Sequence, residues 1–246
     1  PYAILSLGVT FAIATGGIDL SLGTVCFGSA VLAGALCKTG VTAEEGTLWL
    51  TIPIILATGL VFGLINGFLV AKCKIAPFIA TLGTMLVSRG LTAVIAEAVR
   101  GTSSAIKYPS TGWFQKVFTN LNGFPIGIVW VLGLTIICMI VMYKTKIGRY
   151  ILAIGSNEEA ARLSGINVDN WKIAVYTLSG FFIGMSGLLY AAAYTTITPG
   201  TGNGQEMNGI TAVVIGGTSM SGGSGTMVGT LIGVFVMSVL KTGLSA

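Results

Sequence analysis

The sequence predicts an all-α, polytopic helical membrane protein with about six or seven membrane segments, some of them broken or re-entrant at glycine-rich elements. Of its 246 residues, 53% are hydrophobic and only 9% are charged, whereas a soluble domain carries about 25% charged residues. The mean hydropathy of +0.89 points the same way. So few charged residues cannot cover the surface of a soluble globule, and most of the protein surface must therefore face lipid. We expect one membrane domain over residues 1–246, apparently truncated at both ends.

Apolar runs of about 20 residues, the length that spans a bilayer, define the individual segments. The clearest runs lie at 48–70, 77–96, 126–143 and 173–194. A broken pair at 2–15 and 20–37 and a glycine-rich run at 210–240 complete the series. A segment can break within a membrane only where the freed backbone groups face protein or a cavity. The two breaks are therefore places where we expect function.

Lysine and arginine in the connections predict the orientation, because cytoplasmic loops are enriched in both. Alternating the segments puts seven of these residues on one side and four on the other, and we expect the side with seven to be cytoplasmic. The seven are Lys72, Lys74, Lys144, Lys146, Arg149, Arg162 and Lys172, and the four are Lys38, Arg100, Lys107 and Lys116. The net charge of +5 is thus scattered over segment ends. That distribution fits a lipid bilayer and argues against a nucleic-acid partner.

The composition gives little support to catalysis, metal binding or nucleotide binding. The chain has no histidine, and most of its eight acidic residues lie in loops, so the commonest general base is missing. Cys26, Cys37, Cys73 and Cys138 lack a metal-binding spacing. The run "GGTSMSGGSGT" at 216–226 lacks the lysine of a phosphate-binding loop. We expect a protein that is not an enzyme and that binds no cofactor or metal of its own.

One carboxylate, Asp19, interrupts the first apolar pair within the stretch "GGIDLSLG" at 16–23. Gly16 and Gly17 are predicted to break the helix. Asp19 is then the N-cap of a helix that begins at Leu20, where its oxygen can accept from free backbone N–H groups. A role in a transport pathway or gate is the alternative interpretation.

The connection at 144–172 is predicted to be a cytoplasmic loop with a short helix at about 157–165. Ser156 and Asn157 are N-cap residue types, and Glu158 and Glu159 follow in the first turn, where the helix dipole favours acidic side chains. Gly165 can end the helix in a left-handed conformation. Taken alone, such a helix could simply connect two spans.

Motifs in this connection and elsewhere in the chain resemble those of a known family. Glu159, Ala160 and Ala161, followed after three residues by Gly165, match the pattern E-A-A-x-x-x-G of ABC importer permease subunits. The stretches "TGGIDLSLG" at 15–23, "PFIATLGT" at 77–84 and "AVVIGGTSMSGGSGTMVGTLIG" at 212–233 resemble sugar permeases of the ribose-transport type, within the branched-chain amino-acid/ribose permease superfamily. The chain departs from other importer classes in lacking I-x-L-P after the motif.

The resemblance implies partners and a coupling mechanism. The short helix would dock in a groove of a separate ATPase subunit, which binds and hydrolyses ATP with Mg²⁺. A second permease copy would share one central pathway, and a periplasmic or lipid-anchored binding protein would deliver the sugar at a bacterial plasma (inner) membrane. The residues expected at the ATPase contact are Asn157, Glu158, Glu159, Ala160, Ala161, Arg162 and Gly165. The two alanines would allow close approach, and the charged side chains would pair with the ATPase.

Polar groups within the spans are candidates for the pathway or its gate. Hydroxyl and amide groups suit an uncharged polyol, although hydrogen bonding between helices is the alternative role for them. The candidates are Asp19, Ser21, Asn66, Thr81, Thr84 and Ser88, with Gly216, Gly217 and Ser221 at the second break. That break is either a turn between packed helix pieces or an unwound element lining the pathway.

The leading hypothesis is thus the membrane subunit of an ATP-driven importer of a pentose or hexose. One alternative is a permease for branched-chain amino acids or another small polar solute. A passive channel or an ion-coupled carrier is the alternative from another class. A carrier should bury ionisable groups in several spans, and apart from Asp19 and Arg89 the spans have almost none.

Overall fold

The computed structural model describes residues 1–39, 47–101, 105–121 and 123–244, apart from the side chain of Arg100. Helices dominate these residues, as the sequence predicts. The helices are α1 (Tyr2–Ala14), α2 (Leu22–Leu36), α3 (Thr51–Ala71, after a 3₁₀ turn at Leu48–Leu50), α4 (Pro77–Arg100), α5 (Trp113–Phe118), α6 (Ile126–Lys144), α7 (Lys146–Ser156), α8 (Glu158–Leu163), α9 (Val168–Ala193), α10 (Gln205–Ile215) and α11 (Met227–Leu244). Two short strands, β1 (Ile106–Lys107) and β2 (Thr196–Ile197), pair antiparallel.

Within the described residues, five helices are long and apolar enough to cross a membrane. They are Leu48–Ala71, Pro77–Val99, Ile126–Lys144, Val168–Ala193 and Met227–Leu244. The shorter apolar helices α1 and α2 form the predicted broken pair. Every residue of α1 from Ile4 to Ala14 is buried by neighbouring helices. In the break that follows α1, Thr15, Gly17 and Asp19 are buried and Gly16 is exposed, so the break packs largely against protein, where a break at membrane depth is tolerated.

Glycines bring α3 and α9 into close antiparallel contact, the most extensive between two helices. Gly59 and Gly63, one turn apart on α3, face Gly180 and Gly184 on α9. A Cβ atom on Gly63 would lie 3.0 Å from the Cα of Gly180 and closer still to the carbonyl oxygen of Tyr176. Small residues at this spacing are the usual means by which membrane helices pack backbone against backbone. Helix α3 carries Asn66 and the start of α9 carries Asp169, and these residues belong to the two candidate sites described below.

The connections rich in lysine and arginine gather at one end of the helix bundle, hereafter the basic end. There the α3–α4 connection meets the start of α9, because Lys74 forms an ion pair with Asp169. The last turn of α6 leads directly into α7 and α8 at the same end. The β1–β2 pair and α5 lie at the opposite end. The grouping matches the predicted orientation, in which the basic end is cytoplasmic.

Candidate functional site

The short helix α8 forms at the basic end as its sequence predicts. The side-chain oxygen of Asn157 accepts from the backbone N–H of Ala160 at 2.9 Å and so caps the first turn. Glu158 and Glu159 occupy that turn. Gly165 follows the helix with a φ of +82°, a left-handed conformation that glycine adopts without strain. The predicted cap, first turn and exit are therefore all confirmed.

Ion pairs fix α8 against the start of α9 and the α3–α4 connection. Lys172 donates to Glu158 at 2.6 Å, and Arg162 donates to Asp169 at 3.1 Å. The ammonium of Lys74 approaches the same Asp169 oxygen at 2.8 Å. This ion-pair cluster joins three segments that are far apart in the sequence. Asp169 lies at its centre, because it accepts from both other segments.

The ion-pair cluster persists at neutral pH. The ammonium of Lys172, which donates to Glu158, holds the pKa of that carboxyl below its ordinary value. A carboxyl whose folded pKa is lowered stabilises the fold above its unfolded pKa, about 4.3 for glutamate. That contribution is lost only as the pH falls through the lower, folded value. The orientation of α8 is thus insensitive to changes of pH around 7.

The ion-pair cluster and the packing of α8 change which side chains face a partner. Glu158 and Arg162, expected to meet the charges of an ATPase, already pair within this chain. Ala161, expected to allow close approach, is only 5% exposed and packs with Ile154 and Val168. That expectation is wrong for Ala161 because its position turns it toward α7 and α9. Ala160 remains exposed.

The exposed residues of α8 are Glu159, Ala160, Arg162 and Leu163, and Arg162 is already engaged in the ion-pair cluster. The outward surface outside that cluster is therefore Glu159, Ala160 and Leu163, with Gly165 just beyond the helix. Leu163 is 91% exposed. Single exposed apolar side chains are common on protein surfaces, so this exposure shows only that Leu163 is accessible to another protein. Leu163 is not among the contact residues expected from the sequence, although a leucine within a charged segment was a usable signal.

A second group of predicted residues forms a buried polar network around the first break. Asp19 Oδ1 accepts from the backbone N–H and the hydroxyl of Ser21, at 2.9 and 2.7 Å. The amide nitrogen of Asn66 on α3 donates to the Ser21 hydroxyl at 2.9 Å. The hydroxyl of Thr84 on α4 donates to the Asn66 amide oxygen at 2.6 Å. The network therefore ties the start of α2 to α3 and α4.

The structure corrects the predicted cap at Asp19. Helix α2 begins at Leu22, not Leu20, and Ser21 occupies the N-cap position without a side-chain capping bond. Asp19 lies two residues earlier, where its carboxylate closes a turn onto Ser21. The backbone N–H of Leu20 is bonded instead to the hydroxyl of Thr81 on α4, at 3.1 Å. Leu20 is held by a neighbouring helix, so α2 starts one half-turn later.

All six candidates from the first break and its neighbouring spans are buried inside the single chain. They are Asp19, Ser21, Asn66, Thr81, Thr84 and Ser88. In this conformation all of them except Ser88 form side-chain hydrogen bonds to one another or to the backbone, as the bond from the Thr81 hydroxyl to the α4 backbone illustrates. Within the described residues, Asp19 Oδ2 and the hydroxyls of Ser88 and Tyr176 have no hydrogen-bond partner. The arrangement is suited to holding the break in place.

The second break comes to lie beside the first. Gly216 ends α10, and Gly217 follows with a φ of +87°. The backbone N–H of Gly223 donates to the carbonyl of Ala14 at 3.0 Å. A Cβ atom on Gly16 would lie 3.6 Å from the carbonyl oxygen of Ser221. The two glycine-rich stretches meet at the basic end, next to the last turn of α7 and close to α8.

If the chain is the transport subunit that its motifs lead us to expect, an Asp19→Asn variant should transport substrate at close to the parental rate. The amide oxygen can accept from Ser21 as Oδ1 does, and Oδ2 has no hydrogen-bond partner among the described residues to lose. Asp19→Ala instead leaves the buried N–H of Ser21 unpaired, which costs about 1–3 kcal/mol. Uptake and membrane level of both variants are compared with the parent. An uptake loss of about tenfold in Asp19→Asn at normal protein level would contradict an anchoring role.

No group of three or more His, Cys, Asp or Glu side chains that could hold a metal ion occurs in the described parts of the chain.

Comparisons with known proteins find relatives that match nearly the whole chain. The profile of the family described as "Branched-chain amino acid transport system / permease component" matches residues 1–246. The chain is 39% identical to the ribose import permease protein of Escherichia coli K12, an alignment that covers 99% of this chain and 74% of that protein. Identity to the ribose import permease protein of Bacillus subtilis is 38%, covering 98% and 73%. Identity to the galactose/methyl galactoside import permease protein of Escherichia coli K12 is 36%, covering 98% and 75%. No solved structure matches the chain.

Proposed function

Because this chain belongs to the family of branched-chain amino acid transport system permease components, we propose that it forms the translocation pathway of an ABC importer for a monosaccharide, a pentose or a hexose. The observation that carries the proposal is the similarity over nearly the whole chain to permeases named for ribose and galactose import. The chain is a multi-pass protein of the bacterial plasma (inner) membrane, as its relatives and its five long apolar helices indicate.

The helix α8 is the contact with a separate ATPase subunit in this proposal. The outward side chains Glu159 and Leu163 meet the ATPase, while Glu158 and Arg162 hold the helix rigidly through Lys172 and Asp169. A rigid helix transmits the movement of a partner without absorbing it. ATP and Mg²⁺ belong to the ATPase, since "GGTSMSGGSGT" lacks the phosphate-binding lysine.

The meeting of the two breaks beside α7 supports a path for that movement. A displacement of α8 reaches Gly155 and Ser156 in the last turn of α7, and these residues contact the second break at Gly222 and Gly223. The second break contacts the end of α1 in turn. The network of Asp19, Ser21, Asn66 and Thr84 then anchors the first break and the start of α2 while the second break moves. We place the gate at three residues of the second break, Gly216, Gly217 and Ser221.

Two further partners follow from the same proposal. A second copy of the permease completes the pathway, and a periplasmic or lipid-anchored sugar-binding protein delivers the substrate to the end opposite α8. Apolar side chains remain exposed along α4, α6 and α11, for example Val94, Ile136 and Phe235. Lipid and the second copy share these faces.

A branched-chain amino acid is the second candidate substrate, because the family description names that transport system. The two substrates differ in charge, since an amino acid carries both an ammonium and a carboxylate group whereas a monosaccharide carries neither. The named permease relatives with 36–39% identity favour the sugar.

Uptake by whole cells tests the choice of substrate. The permease is expressed with its cognate ATPase and binding protein in cells that lack their own ribose and galactose importers. We expect accumulation of labelled ribose or galactose that excess leucine does not reduce. Accumulation of leucine with no sugar uptake would replace the proposal with the amino-acid alternative. The same cells without the ATPase are the control for passive entry.

A further inference from the structure

A cavity of about 310 Å³ lies between α1, α10 and α11, away from both candidate sites described above. Its position follows from the helix directions. Tyr194 comes directly after α9, which starts at the basic end, and Lys241 lies in the last turn of α11, whose first residue contacts Tyr143 near that end. Tyr194 and Lys241 therefore place the cavity toward the opposite end of the bundle. Its volume is within the range of small-molecule sites, about 300–1,000 Å³.

The lining combines two tyrosine rings with neutral polar groups, apolar side chains and one lysine. It includes Tyr2, Ser6, Tyr194, Asn208, Ser238 and Lys241. The ring of Tyr194 stacks on Tyr190 at 4.4 Å between centroids, which fixes its plane. Lys241 places its ammonium 5.8 Å from the centroid of the Tyr2 ring. Among the described residues that line the cavity, none carries a carboxylate.

Hydrogen bonds hold two of these polar groups in position. The hydroxyl of Tyr2 donates to the side-chain oxygen of Gln205 at 2.7 Å, and the amide nitrogen of Asn208 donates to the same oxygen at 2.8 Å. Gln205 thus orients one group on α1 and one on α10. A site whose polar groups are already fixed loses little side-chain entropy when a ligand binds.

A hydrogen-bonded pair of threonine hydroxyls closes the cavity on the side that faces the basic end. Ser6 and Thr10 lie one turn apart on α1, and the Thr10 hydroxyl hydrogen-bonds that of Thr230 on α11 at 2.8 Å. Val234 and Ser238, which line the cavity, follow Thr230 on the same face of α11. Both threonines are fully buried. A ligand that enters from the opposite end would stop at this pair.

We infer that the cavity is a monosaccharide-binding station, which holds the sugar on the entry side of the membrane before the pathway opens toward the basic end. This inference rests on the proposed function. The face of a sugar ring packs on the Tyr rings, and its hydroxyls exchange hydrogen bonds with the amide of Asn208 and the hydroxyls of Ser6 and Ser238. Among the described lining residues there is no carboxylate to pair with the ammonium of a zwitterionic amino acid. A neutral polyol therefore fits the lining better.

Protection of an introduced thiol tests the station directly. Ser238→Cys is made in a Cys37→Ser background, and the complete transporter in proteoliposomes reacts with a membrane-impermeant thiol reagent. Saturating D-ribose or D-galactose is expected to slow the reaction by about threefold or more, whereas L-leucine is not. Asn208→Ala is expected to abolish the protection. Met207→Ala, on the same turn but 55% exposed, is the matched control that keeps it.

The outcomes separate the station from the proposed function. If the parent imports ribose or galactose but neither sugar protects Cys at position 238, the station is overturned and the proposed function stands. Protection by leucine equal to that by the sugars would also overturn the station, because the cavity would then not select a polyol. If the parent imports neither sugar, the proposed function itself fails.

Discussion

Replacing Gly63 by alanine is expected to lower the free energy of unfolding by about 1–3 kcal/mol, the usual cost of overpacking. The added Cβ atom would lie 3.0 Å from the Cα of Gly180 and nearer still to the carbonyl oxygen of Tyr176. Both contacts are with backbone, which cannot rotate away, so α3 and α9 must separate. Gly180→Ala is expected to act in the same direction, because its Cβ atom would meet the backbone of Gly59.

A matched control exists on α4. A Cβ atom on Gly83 meets no other atom within 4 Å, so Gly83→Ala adds the same methyl group without a clash. Its effect is expected to be neutral or stabilising by up to about 1 kcal/mol, because alanine favours a helix over glycine. Thermal unfolding of the purified protein in detergent measures all three variants. Equal midpoints for Gly63→Ala and Gly83→Ala would show that the close approach of α3 and α9 is not what holds the bundle together.

The second large effect is expected at α8. Leu163→Asp should reduce the amount of ATPase that purifies with the permease by about tenfold, since a buried interface leucine contributes roughly 1.4 kcal/mol or more. Leu163 is 91% exposed in this chain, so the change removes little contact within the fold and acts on the proposed contact with the ATPase. Glu159→Lys, also at an exposed position, should weaken the same association. Sugar uptake should fall with it.

The matched control is Leu121→Asp, which makes the same exchange at an exposed position at the opposite end of the bundle. It should leave the association with the ATPase unchanged. Membrane level and unfolding temperature of each variant confirm that it folds. Normal recovery of the ATPase with both Leu163→Asp and Glu159→Lys would contradict the docking role of α8.

The features that the sequence predicted correctly are those that depend on neighbouring residues. Long apolar runs define the spans, because crossing a bilayer requires about 20 such residues in succession. The cap at Asn157 and the left-handed Gly165 follow from side chains within a few positions of the backbone groups that they serve. These signals are local, so one sequence is enough to read them.

The interaction partners that the sequence did not reveal depend on how the helices pack. Asp169 and Lys172 lie in the first turns of α9, and nothing in their own segment indicates that they bind Arg162 and Glu158. Asn66 was a single amide in an apolar helix, and only the packing of α2, α3 and α4 brings it between Ser21 and Thr84. The burial of Ala161 is of the same kind, because it depends on the angle at which α8 meets α7 and α9.

The most direct test of the central claim is transport in proteoliposomes that contain this permease, its cognate ATPase and its sugar-binding protein. We predict accumulation of ribose or galactose against a concentration gradient, which requires ATP and Mg²⁺ on the side of α8 and is absent when the ATPase is omitted. Equilibration of the sugar without ATP, or accumulation driven by an ion gradient alone, would identify a channel or an ion-coupled carrier and would contradict the account.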